Sequence, residues 1–269
     1  MIPENTREIL ESALKKGGTV LLEHFGKPSE TFVKESISSV VTEADLASEK
    51  VIIEFLGAST EPYNIISEES GYIENHSIYT WVIDPLDGTS NFAAGLPWFG
   101  VIITLFHEQV PIQAAMYLPV ADQLYYAESG KGAWRNGSPI KTLDSTELTE
   151  ILLSYSFDFS RDPGKTDAEM DLLSKLSNKI RNTRSTNSLI DFCYTTDGRL
   201  GAAINQTTKI WDIAAPWLII REAGGVVTDI FGSEIQFNLS QDEINRNYTI
   251  VAAGSGIHGQ IIRIINNQL

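Results

Sequence analysis

The stretch Tyr79-Thr80-Trp81-Val82-Ile83-Asp84-Pro85-Leu86-Asp87-Gly88-Thr89-Ser90-Asn91-Phe92 passes from an apolar run into a polar turn. The run up to Ile83 predicts a buried strand, and Asp84-Pro85 predicts its end, because proline cannot donate to a strand ladder. Asp84 and Asp87 would then share one tight turn, and Leu86 between them offers only its backbone carbonyl. Such hard oxygen donors suit Mg²⁺. Taken alone, the turn is equally compatible with an ordinary connection between strands.

The residues after this turn suit a phosphate group. Gly88 lets the backbone approach a ligand closely, and Thr89 and Ser90 add hydroxyl and amide groups beside it. Backbone amides in this arrangement commonly hold a phosphate oxygen. The stretch therefore predicts a site where cations and a phosphate ester meet.

The composition restricts the partners of the chain. With 269 residues, of which 42% are hydrophobic, it is long enough to bury a substantial core. Its formal net charge of −15 disfavours nucleic acid and anionic membranes, because both select clustered Lys and Arg. Cys193 is the only cysteine, and the N-terminal residues lack an apolar signal segment. We therefore expect a soluble cytoplasmic protein without internal disulfides.

Helical and strand patterns alternate along the chain. The predicted helices cover 5–25, a segment beginning at Thr42, 167–180, a segment from about 188, 211–220 and 257–265. The predicted strands cover 63–67, 79–83, several antiparallel runs between 99 and 134, 201–205, 226–228 and 249–253. Asn136-Gly137 predicts a hairpin turn, and 32–41 is short enough to form another hairpin. We expect a layered α/β arrangement rather than a doubly wound parallel sheet, with the polar segment 140–165 joining two halves.

Other acidic residues have ordinary explanations besides a catalytic one. Glu68 follows the strand 63–67 and would lie beside the Asp84 turn if the two strands are neighbours, as sequential strands usually are. Asp45 is expected to cap the helix that begins at Thr42, and Asp212 to complement the dipole of its own helix. Lys34 has the pattern of an exposed strand cation.

Three motifs, in order along the chain, resemble those of the inositol monophosphatase family. They are Ser67-Glu68-Glu69-Ser70, Asp84-Pro85-Leu86-Asp87-Gly88-Thr89-Ser90-Asn91-Phe92 and Trp211-Asp212-Ile213-Ala214-Ala215-Pro216. Further similar stretches are Val41-Thr42-Glu43-Ala44-Asp45, 130–137 and Glu222-Ala223-Gly224-Gly225, so the resemblance spans nearly the whole chain.

The resemblance implies a single domain over 1–269 with a five-layered αβαβα sandwich, built from halves of about 1–145 and 146–269. It further implies two or three Mg²⁺ ions, sensitivity to lithium and a homodimer. The implied metal ligands are Glu68, Asp84, the carbonyl of Leu86, Asp87 and Asp212. The implied water-activating residues are Glu68, Thr89 and Asp45, with Lys34 nearby.

The implied reaction is hydrolysis of a small polyol or sugar phosphate, such as an inositol phosphate, by direct attack of a metal-activated water. The motifs hold no His or Cys nucleophile, so no covalent phosphoenzyme is expected. The expected partner is a small phosphorylated metabolite, with neither nucleic acid nor membrane. The expected substrate-binding residues are Asp87, Gly88, Thr89, Arg184, Ser185, Thr186, Asn205 and Asp212.

Two positions depart from inositol-selective members of the family. The polar segment from Arg181 to Ser188 is predicted to be a loop, and Arg184 stands where the family's loop typically has glycine. Asn205 stands where a glutamate binds the ring hydroxyls. The alternatives are therefore a fructose-1,6-bisphosphatase or a 3′-phosphonucleotide phosphatase, in which Arg184 would hold a second phosphate. A regulatory binding protein is the non-enzymatic alternative.

Overall fold

The computed structural model describes residues 5–27, 31–33 and 40–267, and Lys34 lies outside them. The helices are α1 (Thr6–His24), α2 (Glu43–Ser59), α3 (Thr89–Ala93), α4 (Pro163–Ser177), α5 (Leu189–Thr196), α6 (Ile210–Glu222) and α7 (Ser255–Ile265). The first ten strands are β1 (Thr31–Val33), β2 (Val40–Thr42), β3 (Asn64–Ser67), β4 (Gly71–Ile73), β5 (Tyr79–Asp87), β6 (Gly100–His107), β7 (Val110–Leu118), β8 (Gln123–Glu128), β9 (Gly132–Arg135) and β10 (Ser138–Pro139). The remaining strands are β11 (Leu152–Ser156), β12 (Asn182–Arg184), β13 (Ala202–Thr208), β14 (Gly225–Thr228) and β15 (Tyr248–Gly254). None of the helices within these ranges is long and apolar enough to cross a lipid bilayer.

Eight strands form the larger sheet, in the order β10-β9-β8-β7-β6-β5-β3-β4. Strands β5 to β9 pair antiparallel in succession, which confirms the predicted meander. Asn136 and Gly137 both adopt positive φ in the turn between β9 and β10, as a two-residue hairpin requires. Strand β3 pairs parallel with β5, so the two predicted acidic strand ends lie side by side.

Side-chain alternation along β5 gives the larger sheet two buried faces. Trp81 and Ile83 pack with residues of α1 and α2, whereas Val82 packs on the opposite face with residues of α5 and α6. Successive strand residues point to opposite faces, so an unbroken apolar run is the pattern of a strand covered on both sides.

The second sheet has the strand order β12-β11-β13-β15-β14. One of its faces contributes Ala203, Ile250 and Ala252 to the core shared with α5 and α6. Its other face buries Leu153 and Val251 against α4 and α7. The layers are therefore α1/α2, large sheet, α5/α6, small sheet and α4/α7. This order confirms the five-layered αβαβα sandwich.

Several predictions of secondary structure are wrong. Strand β11 (Leu152–Ser156) lies inside the segment 140–165, which was predicted as a polar connection. Strand β5 does not stop at Asp84-Pro85 but continues to Asp87, with a register irregularity after Asp84 that accommodates the missing N–H of Pro85. Helix α4 begins at Pro163 rather than near 167, because the Asp162 side chain caps it and proline is favourable in the first turn. Residues 182–184 form edge strand β12 instead of loop.

Candidate active site

A cavity of about 490 Å³ opens where the ends of β3, β5 and β13 meet the N-termini of α5 and α6. Among the residues predicted for the site, it is lined by Glu68, Asp84, Leu86, Asp87, Gly88, Thr89, Asn205 and Asp212. Its volume is in the range of pockets for small metabolites. Parallel pairing of β3 with β5 brings Glu68 here, since the Glu68 N–H donates to the carbonyl of Ile83 at 3.2 Å.

Three carboxylates form the centre of this cavity. One oxygen atom from each of Asp84, Asp87 and Asp212 lies within 4.8 Å of those of the other two. Each carboxylate is also oriented by a backbone N–H. Asp84 accepts from Leu86 at 3.0 Å, Asp212 accepts from Lys209 at 2.6 Å, and Asp87 accepts from the first residue of α5. The chain thus fixes three negative groups at a separation that a small divalent cation can bridge.

Burial opposes ionisation of all three aspartates. Burial, and then the negative charge of Glu68, raise the pKa of Asp84 well above its usual range. Burial and the charge of Asp212 do the same to the pKa of Asp87. Burial raises the pKa of Asp212 to about 6. Hard divalent cations would favour the ionised carboxylates, so the donor set fits Mg²⁺.

Thr89 and Asp45 form a hydrogen-bonded pair at one side of the carboxylates. The Thr89 hydroxyl lies 3.0 Å from Asp45 Oδ1 and 2.9 Å from the carbonyl oxygen of Leu86, so it donates to one of these acceptors. Asp45 is fully buried, and its Oδ2 accepts from the Thr42 N–H at 2.8 Å and hydroxyl at 2.6 Å. Asp45 therefore has the predicted capping role and also contacts the cavity through Thr89.

Gly88 determines how closely the turn approaches the second half of the chain. Its φ is 88°, a conformation that costs a side-chain-bearing residue free energy. A Cβ atom there would lie 2.5 Å from the carbonyl oxygen of Trp98 and 3.2 Å from Cβ of Ser188. Glycine is therefore needed for both the backbone angle and the packing.

Two polar residues of helix α2, which sequence reasoning missed, hold the backbone beside Asp84 and beside Glu68. Ser48 Oγ donates to the carbonyl of Pro85 at 2.8 Å. Glu49 accepts from the backbone N–H groups of Glu69 and Ser70 at 3.2 and 3.0 Å, and from the Ser70 hydroxyl at 2.5 Å. With Asp45, these residues follow the i, i+3, i+4 spacing of one helix face. That spacing was the available signal, but polar residues at such positions usually face solvent.

Asp191 was also missed, although it lines the cavity. It is 3% exposed, and one of its oxygens accepts from the N–H groups of Thr186 and Asn187 at 3.1 and 3.2 Å and from the Ser156 hydroxyl at 3.1 Å. Asp191 thereby holds the loop before α5 against β11. Burial raises its pKa above the ordinary value.

The other predicted substrate-binding residues are not all in the cavity wall. Arg184 is exposed on β12 and donates to the carbonyl of Thr183 at 2.7 Å. Neither Arg184 nor its neighbours Ser185 and Thr186 line the cavity. Asn205 does, and its side chain accepts from the N–H of Thr207 at 2.8 Å. Lining residues that no motif marked include Asp158, Phe159, Lys209, Asn245 and Asn247.

A sequence profile of the inositol monophosphatase family matches residues 3–269. The chain belongs to the inositol monophosphatase family. This confirms the resemblance carried by the three motifs and makes the chain a metal-dependent phosphomonoesterase.

Individual members of the family resemble the chain over most of its length. A protein of Xylella fastidiosa named Nus factor SuhB is 35% identical over 230 residues, which cover 84% of this chain and 82% of that protein. A protein of Aquifex aeolicus named fructose-1,6-bisphosphatase/inositol-1-monophosphatase is 33% identical over 223 residues, which cover 82% of this chain and 84% of that protein. The crystal structure of extragenic suppressor protein SuhB from Bartonella henselae matches with a TM-score of 0.89 at 27% identity, covering 98% of this chain and 99% of that chain.

Proposed function

We propose that the enzyme hydrolyses a small polyol or sugar phosphate by direct attack of water, with Mg²⁺ held at the three aspartates. The observation that supports this most strongly is the convergence of Asp84, Asp87 and Asp212 within 4.8 Å, in a cavity that Glu68 and Thr89 also line. A phosphate dianion would be repelled by these acids unless cations lay between them.

The ligands that we assign to the metal are Glu68, Asp84, the carbonyl of Leu86, Asp87 and Asp212, and two or three ions would share them. Bound Mg²⁺ would supply Lewis-acid charge, which activates water and stabilises the leaving oxygen. The raised pKa values of the aspartates support this assignment, because cations would relieve the repulsion among buried carboxylates.

The proton from the attacking water is assigned to the residues beside this centre. Thr89 accepts a hydrogen bond from the water while its own hydroxyl donates to Asp45, which its Thr42 contacts hold in place. Glu68 is the second group that orients the water. The N–H groups of Gly88 and Thr89 hold a phosphate oxygen, and Asp87 and Asp212 help to position the substrate from the metal side.

Two substrate classes remain in the proposal. Inositol 1-phosphate and related polyol phosphates are the first, in line with the family. Fructose 1,6-bisphosphate is the second, because the Aquifex aeolicus relative carries that activity in its name. The exposed position of Arg184 gives no support, within a single chain, to its assignment to a second phosphate.

The assembly and setting of the enzyme are part of the same proposal. We propose that the enzyme is a cytoplasmic homodimer and that lithium inhibits it. Within each chain, the N-terminal and C-terminal halves would meet near residue 145. A regulatory function through other proteins is the second candidate, since a relative is named Nus factor SuhB. Retention of the whole acidic set favours an enzyme, because a purely binding role does not need it.

The test is turnover of inositol 1-phosphate and fructose 1,6-bisphosphate with Mg²⁺ and in excess EDTA. We expect turnover only with Mg²⁺, and no replacement by Ca²⁺, whose longer and looser coordination misplaces the water. Asp171→Asn, which removes an exposed acid of α4 far from the motifs in sequence, should show the same dependence on Mg²⁺ as the unaltered enzyme. Robust turnover in EDTA would contradict the proposal. Activity that does not change as lithium is added would contradict the proposed inhibition by lithium.

A further inference from the structure

Lys209 is the one cationic side chain among the described residues that line the cavity. It precedes α6 and lies three residues before Asp212, to which its backbone N–H donates. Its ammonium group donates to the carbonyl oxygen of Asn245 at 2.6 Å, which ties the segment 240–247 to the start of α6. An ammonium has three donors, and this contact uses one of them.

The cavity wall combines acids with neutral polar groups. The carboxylates of Asp84, Asp87 and Asp212 form the acidic centre. The wall also includes Lys209 and the amides of Asn205, Asn245 and Asn247, which carry no charge. A volume of about 490 Å³ leaves room for a substrate that contacts both the aspartates and Lys209.

The charge of Lys209 is not balanced by its own hydrogen bond. The Asn245 carbonyl that accepts from the ammonium is neutral, and the neighbouring asparagine amides carry no charge either. An anion supplied by the substrate would therefore pair with this ammonium and accept hydrogen bonds from its remaining donors.

We propose that the physiological substrate carries a second anionic group besides the phosphate that is hydrolysed, and that Lys209 binds this group. This inference rests on the proposed phosphatase activity and assigns its substrate class. Lys209, rather than the exposed Arg184, is the specificity-determining cation. A phosphate or a carboxylate meets the requirement, since both accept charge-assisted hydrogen bonds from an ammonium.

Asp158 provides a second test of the proposal, because its charge is opposite to that of Lys209. It lines the same cavity and is tied to Asn187, whose side-chain amide donates to Asp158 Oδ1 at 2.9 Å. Its negative charge opposes a second anion. Removal of the Asp158 charge should therefore favour the substrates that removal of the Lys209 charge disfavours.

The experiment compares KM for two substrate pairs in which only the distal group differs. Fructose 1-phosphate and fructose 1,6-bisphosphate form the phosphate pair, and glycerol 3-phosphate and 3-phosphoglycerate form the carboxylate pair. Both are measured with Mg²⁺ for the unaltered enzyme, Lys209→Met and Lys209→Arg, and for Lys175→Met at an exposed lysine of α4. Asp158→Asn is measured on the same pairs.

For Lys209→Met we expect KM of the doubly anionic member to rise about tenfold more than KM of its partner, in at least one pair, as loss of a charge-assisted contact predicts. The pair that responds identifies the second anion. Lys209→Arg should retain most of the preference, Lys175→Met all of it, and Asp158→Asn should enhance it. Equal changes for both members of both pairs would overturn the inference. Absence of turnover by the unaltered enzyme on every substrate would instead overturn the proposed function.

Discussion

Ser48 of α2 donates a hydrogen bond of 2.8 Å to the carbonyl oxygen of Pro85, the residue that follows Asp84, the first aspartate of the proposed metal site. Both partners are buried, and the two residues are 37 positions apart in the chain. Pro85 lies at the irregularity of β5, where regular pairing with β6 is interrupted. The hydrogen bond from α2 therefore supports β5 at the point where its pairing with β6 is interrupted.

The same face of α2 makes Glu49 a positioning residue for Glu68. Glu49→Gln keeps the shape but removes the charge that holds the N–H groups of Glu69 and Ser70. We expect the Mg²⁺ concentration for half-maximal activity to rise about fivefold or more, because charged acceptors contribute about 1.5–3 kcal/mol. The Mg²⁺-induced rise in Tm should shrink in parallel, which a purely catalytic effect would not cause. Glu54→Gln, at an exposed position of the same helix, should change neither.

Asp87→Asn is expected to abolish turnover and to leave the protein folded. The substitution removes one negative charge from a cluster in which burial and then neighbouring negative charges raise the pKa values of Asp84 and Asp87. In EDTA its Tm should therefore equal or exceed that of the unaltered enzyme, and the gain in Tm on adding Mg²⁺ should be smaller. Calorimetry with and without Mg²⁺ measures both effects. Near-normal kcat at saturating Mg²⁺ would show that Asp87 is not a metal ligand.

The stability of the metal-free enzyme should decrease as the pH rises from about 4 to above 6. Burial raises the pKa of Asp212 from 3.8 to about 6, so the folded protein binds more protons than the unfolded chain between these values. The free energy of unfolding then falls with rising pH across this window and levels off above it. We expect Tm in EDTA to be lower at pH 8 than at pH 5 by several degrees. Mg²⁺ binds the ionised form and should reverse the trend.

Much of the site was predictable because its acids lie in short, local motifs. The strand that precedes Glu68 and the strand that carries Asp84 and Asp87 are close in sequence and pair in the sheet, although the short strand β4 lies between them in the chain. Asp212 lies far along the chain in the first turn of α6, and only the resemblance to the family predicted that it would join these acids, since its own surroundings predict a role with the helix dipole.

The support of the site was not predictable, because it depends on tertiary packing. Ser48 and Glu49 look like exposed helix residues until α2 is placed on the larger sheet. Asp191 looks like an acid in the first turn of α5, which needs no partner beyond the helix dipole. The hydrogen bond from Lys209 to the carbonyl of Asn245 joins residues 36 positions apart, and Asn245 lies in a segment without regular structure, so no local pattern predicts the contact.

Asp197 connects the middle helical layer to the larger sheet, and its loss should destabilise the fold. Its side chain is 3% exposed and accepts from the Tyr125 hydroxyl at 2.8 Å, from Arg135 at 2.6 Å and from Arg199. Asp197→Asn leaves two cations without their acid. Breaking a buried ion pair costs about 3–5 kcal/mol, and the partial exposure of both arginines reduces this to roughly 2 kcal/mol. Denaturant unfolding measures the loss, and Asp171→Asn should change stability by less than about 0.5 kcal/mol.

Thr89→Val and Thr89→Ser together test whether the hydroxyl beside the proposed metal site moves a proton. Valine has the shape of threonine but cannot donate to Asp45, whereas serine retains the hydroxyl. If Thr89 relays the proton of the attacking water, Thr89→Val should lower kcat by about 10²–10⁴-fold, the usual range for losing a general acid–base group.

Two readouts separate this proton transfer from a structural effect of the same change. Thr89→Ser should retain kcat within about tenfold, and Mg²⁺ should raise the Tm of both variants as it does that of the unaltered enzyme, since neither change removes a carboxylate ligand. Valine also leaves the Asp45 side chain its two contacts with Thr42, so the start of α2 stays capped. If Thr89→Val loses less than about tenfold in kcat, the hydroxyl does not carry the proton, and Asp45 acts only as the cap of α2.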